Sequence, residues 1–164
     1  NSFNKEFDLL FEDLKKKHKT FDFIRNKDWL NYHFEHYKKS NKIFIIVDKD
    51  KNKINSCCIL IEKINIKLNL RKLCLVDLLS LKQNNDYKNL IKYCIKFAKL
   101  NGYDYLEIIG FNPSKRKIIK KFFPFVRKFQ QSRFCYFTKN DFLKNKLNNS
   151  EHLDFSMIDG DSII

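Results

Sequence analysis

Glycine and proline are scarce in this chain, with 3 Gly and 2 Pro among 164 residues. So few chain breakers leave little material for long loops or linkers, and one compact domain over 1–164 is expected. Cysteine occurs five times (57, 58, 74, 94, 135) but never as C-x-x-C. That spacing argues against a zinc site or a disulfide framework and fits a reducing cytoplasm. Long hydrophobic runs are missing too. "IFIIV" and "CCILI" are far too short to span a bilayer. This stretch contains no signal peptide, and its first residue is Asn1 rather than Met, so the chain reads as an excised piece of a longer protein or as a processed one, which leaves targeting open.

What is present is apolar and basic. Hydrophobic residues make up 43% and aromatic residues 15%, with 17 Phe, which argues against disorder. Lys+Arg number 33 against 19 Asp+Glu, a net charge of +14. Such a charge attracts nucleic acid, anionic lipid or polyphosphate. The lysines are scattered over every segment, alongside abundant Asn and Ile, as AT-rich codon usage produces. No basic stripe stands out, so nucleic acid is not the expected partner. The aromatic–basic alternation of 122–137 is the pattern that stacks single-stranded RNA, but a two-layer core with a lysine-rich outside shows it equally.

Periodicity sets the order of elements. "FNKEFDLLFEDLKKKH" (3–18) reads as an amphipathic helix, acidic early and basic late. "KDWLNYHFEHYKK" (27–39) reads as a second, with Trp29, His33 and Tyr37 stacked at i, i+4, i+8. "KIFIIVD" (42–48) and "INSCCILIEKINI" (54–66) predict a hairpin, with Cys57 and Cys58 on opposite faces. "LRKLCLVDLLSL" (70–81) predicts a third strand. A helix over 87–100 follows, with Leu90, Ile91, Cys94, Ile95 and Ala98 inward, and Asn101-Gly102 ends it. "YDYLEIIGF" (103–111) predicts a fourth strand, parallel to the third through a right-handed crossover. "SKRKIIKKFF" (114–123), opened by Pro113, predicts a short helix. "FVRKF" (125–129) and "RFCYFTK" (133–139) predict a closing hairpin, and the tail 152–164 is apolar enough to dock. The fold class is thus α/β (α+β): a mixed, mostly antiparallel sheet with one βαβ crossover and helices on both faces.

Between the third strand and its helix lies "SLKQNNDYKNLI" (80–91). A strand feeding a helix N-terminus is a common phosphate site, but the usual recipe needs glycine and this stretch has none. Asp86 reads as the helix N-cap, which places a carboxylate where an anion would lie.

The order of elements and the text "LCLVDLLSL…NLIKYCIKFAKLNGYDYLEIIGFNPSKRKIIKKFFPF" resemble the GNAT superfamily, the acyl-CoA-dependent N-acetyltransferases. Asn112 matches the family's Asn after the strand, and Pro124-Phe125 stands where Gly-Phe is usual. "IRNKDWLNYHF" before "KIFIIVDKDKNKIN" is similar to the second half of two-domain members, with Arg25, Leu30 and Phe34 matching. The resemblance covers roughly residues 20–140 and implies a missing N-terminal partner domain. It implies acyl transfer from acyl-CoA, or acetyl-CoA, to a small amine acceptor. Backbone groups of Val76, Leu78, Leu79, Ser80, Leu81 and Lys82 would hold the pantetheine. Gln83, Asn84 and Asn85 would meet the pyrophosphate, with Asn112 nearby. Two departures stand out. The family's Arg/Gln-x-x-Gly-x-Gly/Ala turn is here "KQNND", and its proton-donating Tyr is replaced around Ile119 and Lys120.

Asp77 is the leading candidate base. Regular alternation puts it on one face with Leu73, Leu75, Leu79 and Leu81, and a carboxylate desolvated among leucines suits an ammonium substrate. The structural alternative pairs it with Arg25 or Arg71. His33, and beside it His36, is a second candidate on the helix bordering the acceptor side. Glu62 and Glu107 are weaker. Asp159-Gly160-Asp161 lacks the oxygen ligands a calcium ion needs, so no metal is expected. The rivals to an N-acyltransferase are a non-catalytic GNAT-like accessory or binding module and a basic nucleic-acid-binding domain. A homo-oligomer is compatible with each.

Overall fold

The computed structural model of the chain describes residues 2–17, 24–51, 53–82, 84–122, 124–126, 138–149, 153 and 155. The first helix, α1 (Lys5–Lys17), buries Phe7, Leu10, Phe11 and Leu14, the apolar stripe its spacing predicts. Glu6 and Asp8 sit in its first turn and three lysines in its last, complementing the helix dipole. The second predicted helix is two, α2 (Lys27–His33) and α3 (Glu35–Lys39), which meet at Phe34. The Asn26 side chain caps α2 by accepting from the Trp29 N–H at 2.9 Å. Phe34 leaves the helical region (φ −101°, ψ 13°) and its ring is completely buried.

Four strands form one sheet in the order β1-β2-β3-β4: β1 (Ile43–Asp50), β2 (Lys53–Asn65), β3 (Leu70–Ser80) and β4 (Tyr105–Ile108). The first three pair antiparallel, and β4 lies parallel to β3 after the crossover helix α4 (Asn84–Leu100). The mixed sheet expected from the sequence is therefore present. Its fourth strand is shorter than the predicted 103–111. At the front, the Tyr103 N–H closes the end of α4 on the Ala98 carbonyl, and the Asp104 N–H bonds the Arg71 carbonyl. At the back, Gly110 (φ 90°) and Phe111 (φ 71°) turn the chain out of the strand. Glycine takes that conformation freely, whereas an aromatic residue there is strained.

The two sheet faces carry separate cores. α1, α2 and Phe34 pack on Cys57, Ile59, Ile61, Cys74, Val76 and Leu79. α4 and α5 (Pro113–Lys120) pack on Cys58, Leu60, Leu73, Leu75 and Leu78. Cys57 and Cys58 thus face opposite ways. Ile95, expected inward, is 43% exposed. It lies about 80° from the middle of the stripe formed by Tyr87, Leu90, Ile91, Cys94 and Ala98, at 100° per residue.

One irregularity matters for the site. Ile59 opposes Asp77 while Leu60 opposes Leu75, so Val76 is an extra residue, a β-bulge in β3. The bulge puts Val76 and Asp77 on the same face, with α1 and α2. The expectation that Asp77 shares a face with Leu73 and Leu75 is corrected, because simple alternation holds only along an unbroken ladder.

The predicted closing hairpin falls largely outside the described residues. Phe125 and Val126 belong to no strand and are exposed. A last helix, α6 (Asp141–Leu147), is capped by Asn140. The tail does dock at one point, where the Phe111 N–H donates to the Phe155 carbonyl at 2.8 Å. Asp159-Gly160-Asp161 lies outside the described residues. Among those residues no helix is long and apolar enough to cross a membrane, and no group of three or more His, Cys, Asp or Glu gathers to hold a metal.

Candidate functional site

Parallel pairing of β3 and β4 runs only from Lys72↔Tyr105 to Leu75↔Ile108. Beyond it β3 continues to Ser80, while the chain after Ile108 turns away into α5. The backbone of β3 past Leu75 is therefore released from its β4 neighbour, which is the stretch where the resemblance expects pantetheine. Val76, Leu78, Leu79 and Ser80 are buried there, Leu81 is half-buried and Lys82 exposed.

A side chain already bonds that stretch. Lys115, on the first turn of α5, is 2% exposed, and its Nζ donates to the Leu78 carbonyl oxygen at 2.6 Å. The ammonium also lies 5.2 Å from the centre of the Tyr87 ring and 5.4 Å from that of Phe111. A carbonyl and two π-faces compensate a cation taken out of water. The anchoring of α5 explains the reach. Asn112 caps this helix, its Oδ1 accepting from the Lys115 N–H at 2.9 Å, and Pro113 follows at the first helical position. Asn112, expected at a cofactor, is here a helix cap. Sequence reasoning passed over Lys115, yet its spacing to Ile118 and Ile119 puts it on the buried stripe of α5.

The turn after β3 also differs from expectation. α4 begins at Asn84, so Asp86 is its third residue and not its N-cap. Asn85 is exposed in the first turn, Gln83 lies outside the described residues, and of Asn84 only the backbone is described. The carboxylate remains at the positive end of the helix, held by the strand. Ser80 Oγ donates to Asp86 Oδ2 at 2.7 Å and accepts from the Lys82 N–H at 3.0 Å.

Asp77 is 1% exposed and both its oxygens are engaged. Arg25 Nε donates to Oδ2 at 2.7 Å, and the Leu78 N–H to Oδ1 at 2.9 Å. Arg25, 2% exposed, is one of the two partners the sequence suggested. Both charges, with Lys115, bear on the Cys57 thiol, whose pKa burial and then Asp77 push well above the ordinary value. His33 stacks on Trp29 at 4.5 Å and 13° and meets Phe34 edge-on. Its Nε2 is buried without a hydrogen-bond partner among the described residues, and burial pushes its pKa below the usual histidine value. His36 is exposed on α3. At the tyrosine-like position, Ile119 is buried and Lys120 exposed.

Three features of this arrangement work against acyl-CoA: Lys115 holds one backbone carbonyl of the stretch where the resemblance expects pantetheine, a carboxylate sits in the first turn of α4, and the turn before it has no glycine.

No family model matches the chain, and no curated protein matches it. Solved structures do. A predicted acetyltransferase from Clostridium acetobutylicum, solved with acetyl-CoA, superposes with a TM-score of 0.58 at 13% identity, over 80% of this chain and 90% of that one. A ribosomal-protein-alanine N-acetyltransferase from Brucella melitensis biovar Abortus 2308 gives 0.54 at 12% identity, over 83% and 96%. A GNAT family acetyltransferase from Staphylococcus aureus gives 0.52 at 16% identity, over 84% and 93%. Identities this low speak to architecture alone. The chain has the fold of the GNAT acetyltransferases.

Proposed function

We propose that this chain is a GNAT-fold binding or accessory module that does not turn over acyl-CoA, because its own Lys115 closes the pantetheine slot. The bond from Lys115 Nζ to the Leu78 carbonyl carries this reading. To enter, a pantetheine arm would have to displace a buried ammonium from its acceptor and two aromatic faces, leaving the cation desolvated. The Asp86 carboxylate adds like-charge repulsion against a pyrophosphate at the same helix end.

Titration calorimetry with acetyl-CoA tests it. The wild-type chain gives no heat up to about 1 mM ligand, a ceiling of about −4 kcal/mol. Lys115→Ala, which empties the slot, gives measurable binding, whereas Lys115→Met, which keeps the stem volume, does not. Micromolar binding by the wild type overturns the proposal. Silence from Lys115→Ala as well would assign the block to the "KQNND" turn instead of the lysine.

The second reading is an N-acyltransferase acting on a small amine with acetyl-CoA as donor. It is favoured by the early end of the β3–β4 ladder and by the acetyl-CoA complex of the Clostridium acetobutylicum structure. Under this reading Lys115 swings out on binding, and wild-type titration with turnover of an amine decides for it.

A further inference from the structure

On the face of the sheet that carries α4, away from the Asp77–Arg25 pair, β1, β2 and β3 place three polar residues in one cross-strand row. Asp48 opposes Ser56, and Ser56 opposes Ser80. In a regular ladder, residues directly opposite one another project to the same side, and Ser80 meets Asp86 of α4, so all three point toward that helix. Between the row and α4 lies an open cavity of about 400 Å³, lined by Asp48, Ser56, Asp86, Asn89, Lys92 and Tyr93, with Ile46, Val47 and Leu90 as apolar walls; Asp48 and Asn89 are exposed at its mouth and Ser56 is buried.

Two features separate this cavity from a solvated acidic surface. Among the described residues neither Asp48 nor Asp86 has a salt-bridge partner, in a chain with a net charge of +14. Ser56 is 1% exposed, and among the described residues its hydroxyl has no hydrogen-bond partner although every neighbour in its row is polar. A buried hydroxyl left without a partner is a donor and acceptor awaiting one.

We infer that this cavity binds a primary alkylammonium group. The acceptors are the Asp48 and Asp86 carboxylates, the Asn89 side-chain oxygen and the Ser56 hydroxyl, a set that matches the three N–H donors of –NH₃⁺. The alkyl part lies along Ile46, Val47 and Leu90, and the Tyr93 ring offers a face to the cation. The size is that of a small-ligand pocket. The cavity shares Asp86 with the pyrophosphate end of the acyl-CoA slot, whose pantetheine part lies at Leu78 and Lys115 on the α5 side of α4; the inference holds whether that slot is open or closed.

The test uses the full chain and putrescine as probe, followed by amide chemical-shift titration. Saturable shifts are expected at residues 47–57 and 85–93, with n-butylamine binding more weakly and n-butanol not at all. Asp48→Asn lowers affinity by about tenfold, the loss of one charge-assisted contact. Ser56→Ala weakens binding without lowering the melting temperature, since its hydroxyl bonds nothing among the described residues. Equal binding of n-butanol, no saturable shift up to about 10 mM putrescine, or affinity unchanged in Asp48→Asn overturns the inference. So does saturation by magnesium at the same residues with no response to putrescine, which would make this a metal site.

Discussion

At the scale of residues, the buried charges decide what the chain can do. Asp77 was the best catalytic candidate in the sequence because a carboxylate among leucines is costly to bury without a purpose. Its purpose in the structure is Arg25. A base must put an oxygen within hydrogen-bond reach of the proton it takes, and both oxygens here are already bonded inside the protein. Breaking such a pair leaves an uncompensated charge, so Asp77→Asn is expected to destabilise the fold by about 3–5 kcal/mol. Replacing both partners with apolar residues of similar volume, Arg25→Met with Asp77→Leu, recovers most of that loss. Urea denaturation of the two single variants and the double variant measures the coupling. A double variant as unstable as the sum of the singles would show that the pair contributes nothing as a pair.

His33 makes a residue-scale prediction of another kind. Its folded pKa lies below the unfolded value of about 6.5, because burial against Trp29 and Phe34 disfavours the imidazolium. The unfolded chain therefore binds more protons than the folded one as pH falls through that value. The contribution is intact above about pH 6.5 and is lost on acidification toward the depressed folded pKa. Substituting His33→Phe keeps the stacking and removes the titration, so stability should fall less steeply between pH 7 and 5. Identical slopes for wild type and variant would mean that His33 stays accessible to protons in the folded state.

At the scale of elements, the sequence carried more information about order than about edges. Spacing of apolar residues located α1, the β1–β2 hairpin, β3 and the crossover to β4, because each buries one continuous face and the period reports it. Three features escaped for local reasons. The break at Phe34 leaves the apolar spacing of 27–39 intact, so no periodicity reveals it. The bulge at Val76 adds a single residue inside an uninterrupted run of apolar side chains, and a face assignment inverts across it without any change in composition. The early start of α4 at Asn84 depends on Asn and Asp tolerating the first turn, where they serve equally well as caps and as helical residues. Lys115 was the most consequential miss. A lysine on a basic helix reads as solvated surface, and only its place three and four residues before Ile118 and Ile119 marks it as internal. The resemblance pointed to the stretch 76–82, while the lysine that bonds its Leu78 carbonyl had to be seen in place.

At the scale of the whole molecule, the +14 net charge is the property most easily over-interpreted. Charge binds nucleic acid tightly when it is gathered along a track and interleaved with stacking rings. In this chain many of the cations have local work. Arg25 pairs with Asp77 and Lys115 with the Leu78 carbonyl, both inside the fold. Lys49 pairs with Glu6, Lys53 with Asp13 and Lys72 with Glu107 across elements, while Arg71 lies over Tyr103 and bonds Glu62. Lys88, Lys92, Lys96 and Lys99 share one face of α4, and the other described lysines are scattered over helices, strands and turns. Such a distribution neutralises few phosphates at once, so any association is weak, rests on counterion release alone and reads no base identity. Fluorescence anisotropy with labelled single-stranded RNA and duplex DNA should show binding near 50 mM salt, weaker than about 10 μM, and none at about 150 mM, where the Debye length is about 8 Å. Sub-micromolar affinity at physiological salt, or a preference between base compositions, would favour reading the aromatic–basic alternation of 122–137 as a sequence that stacks bases, and the nucleic-acid reading would then displace the accessory-module one.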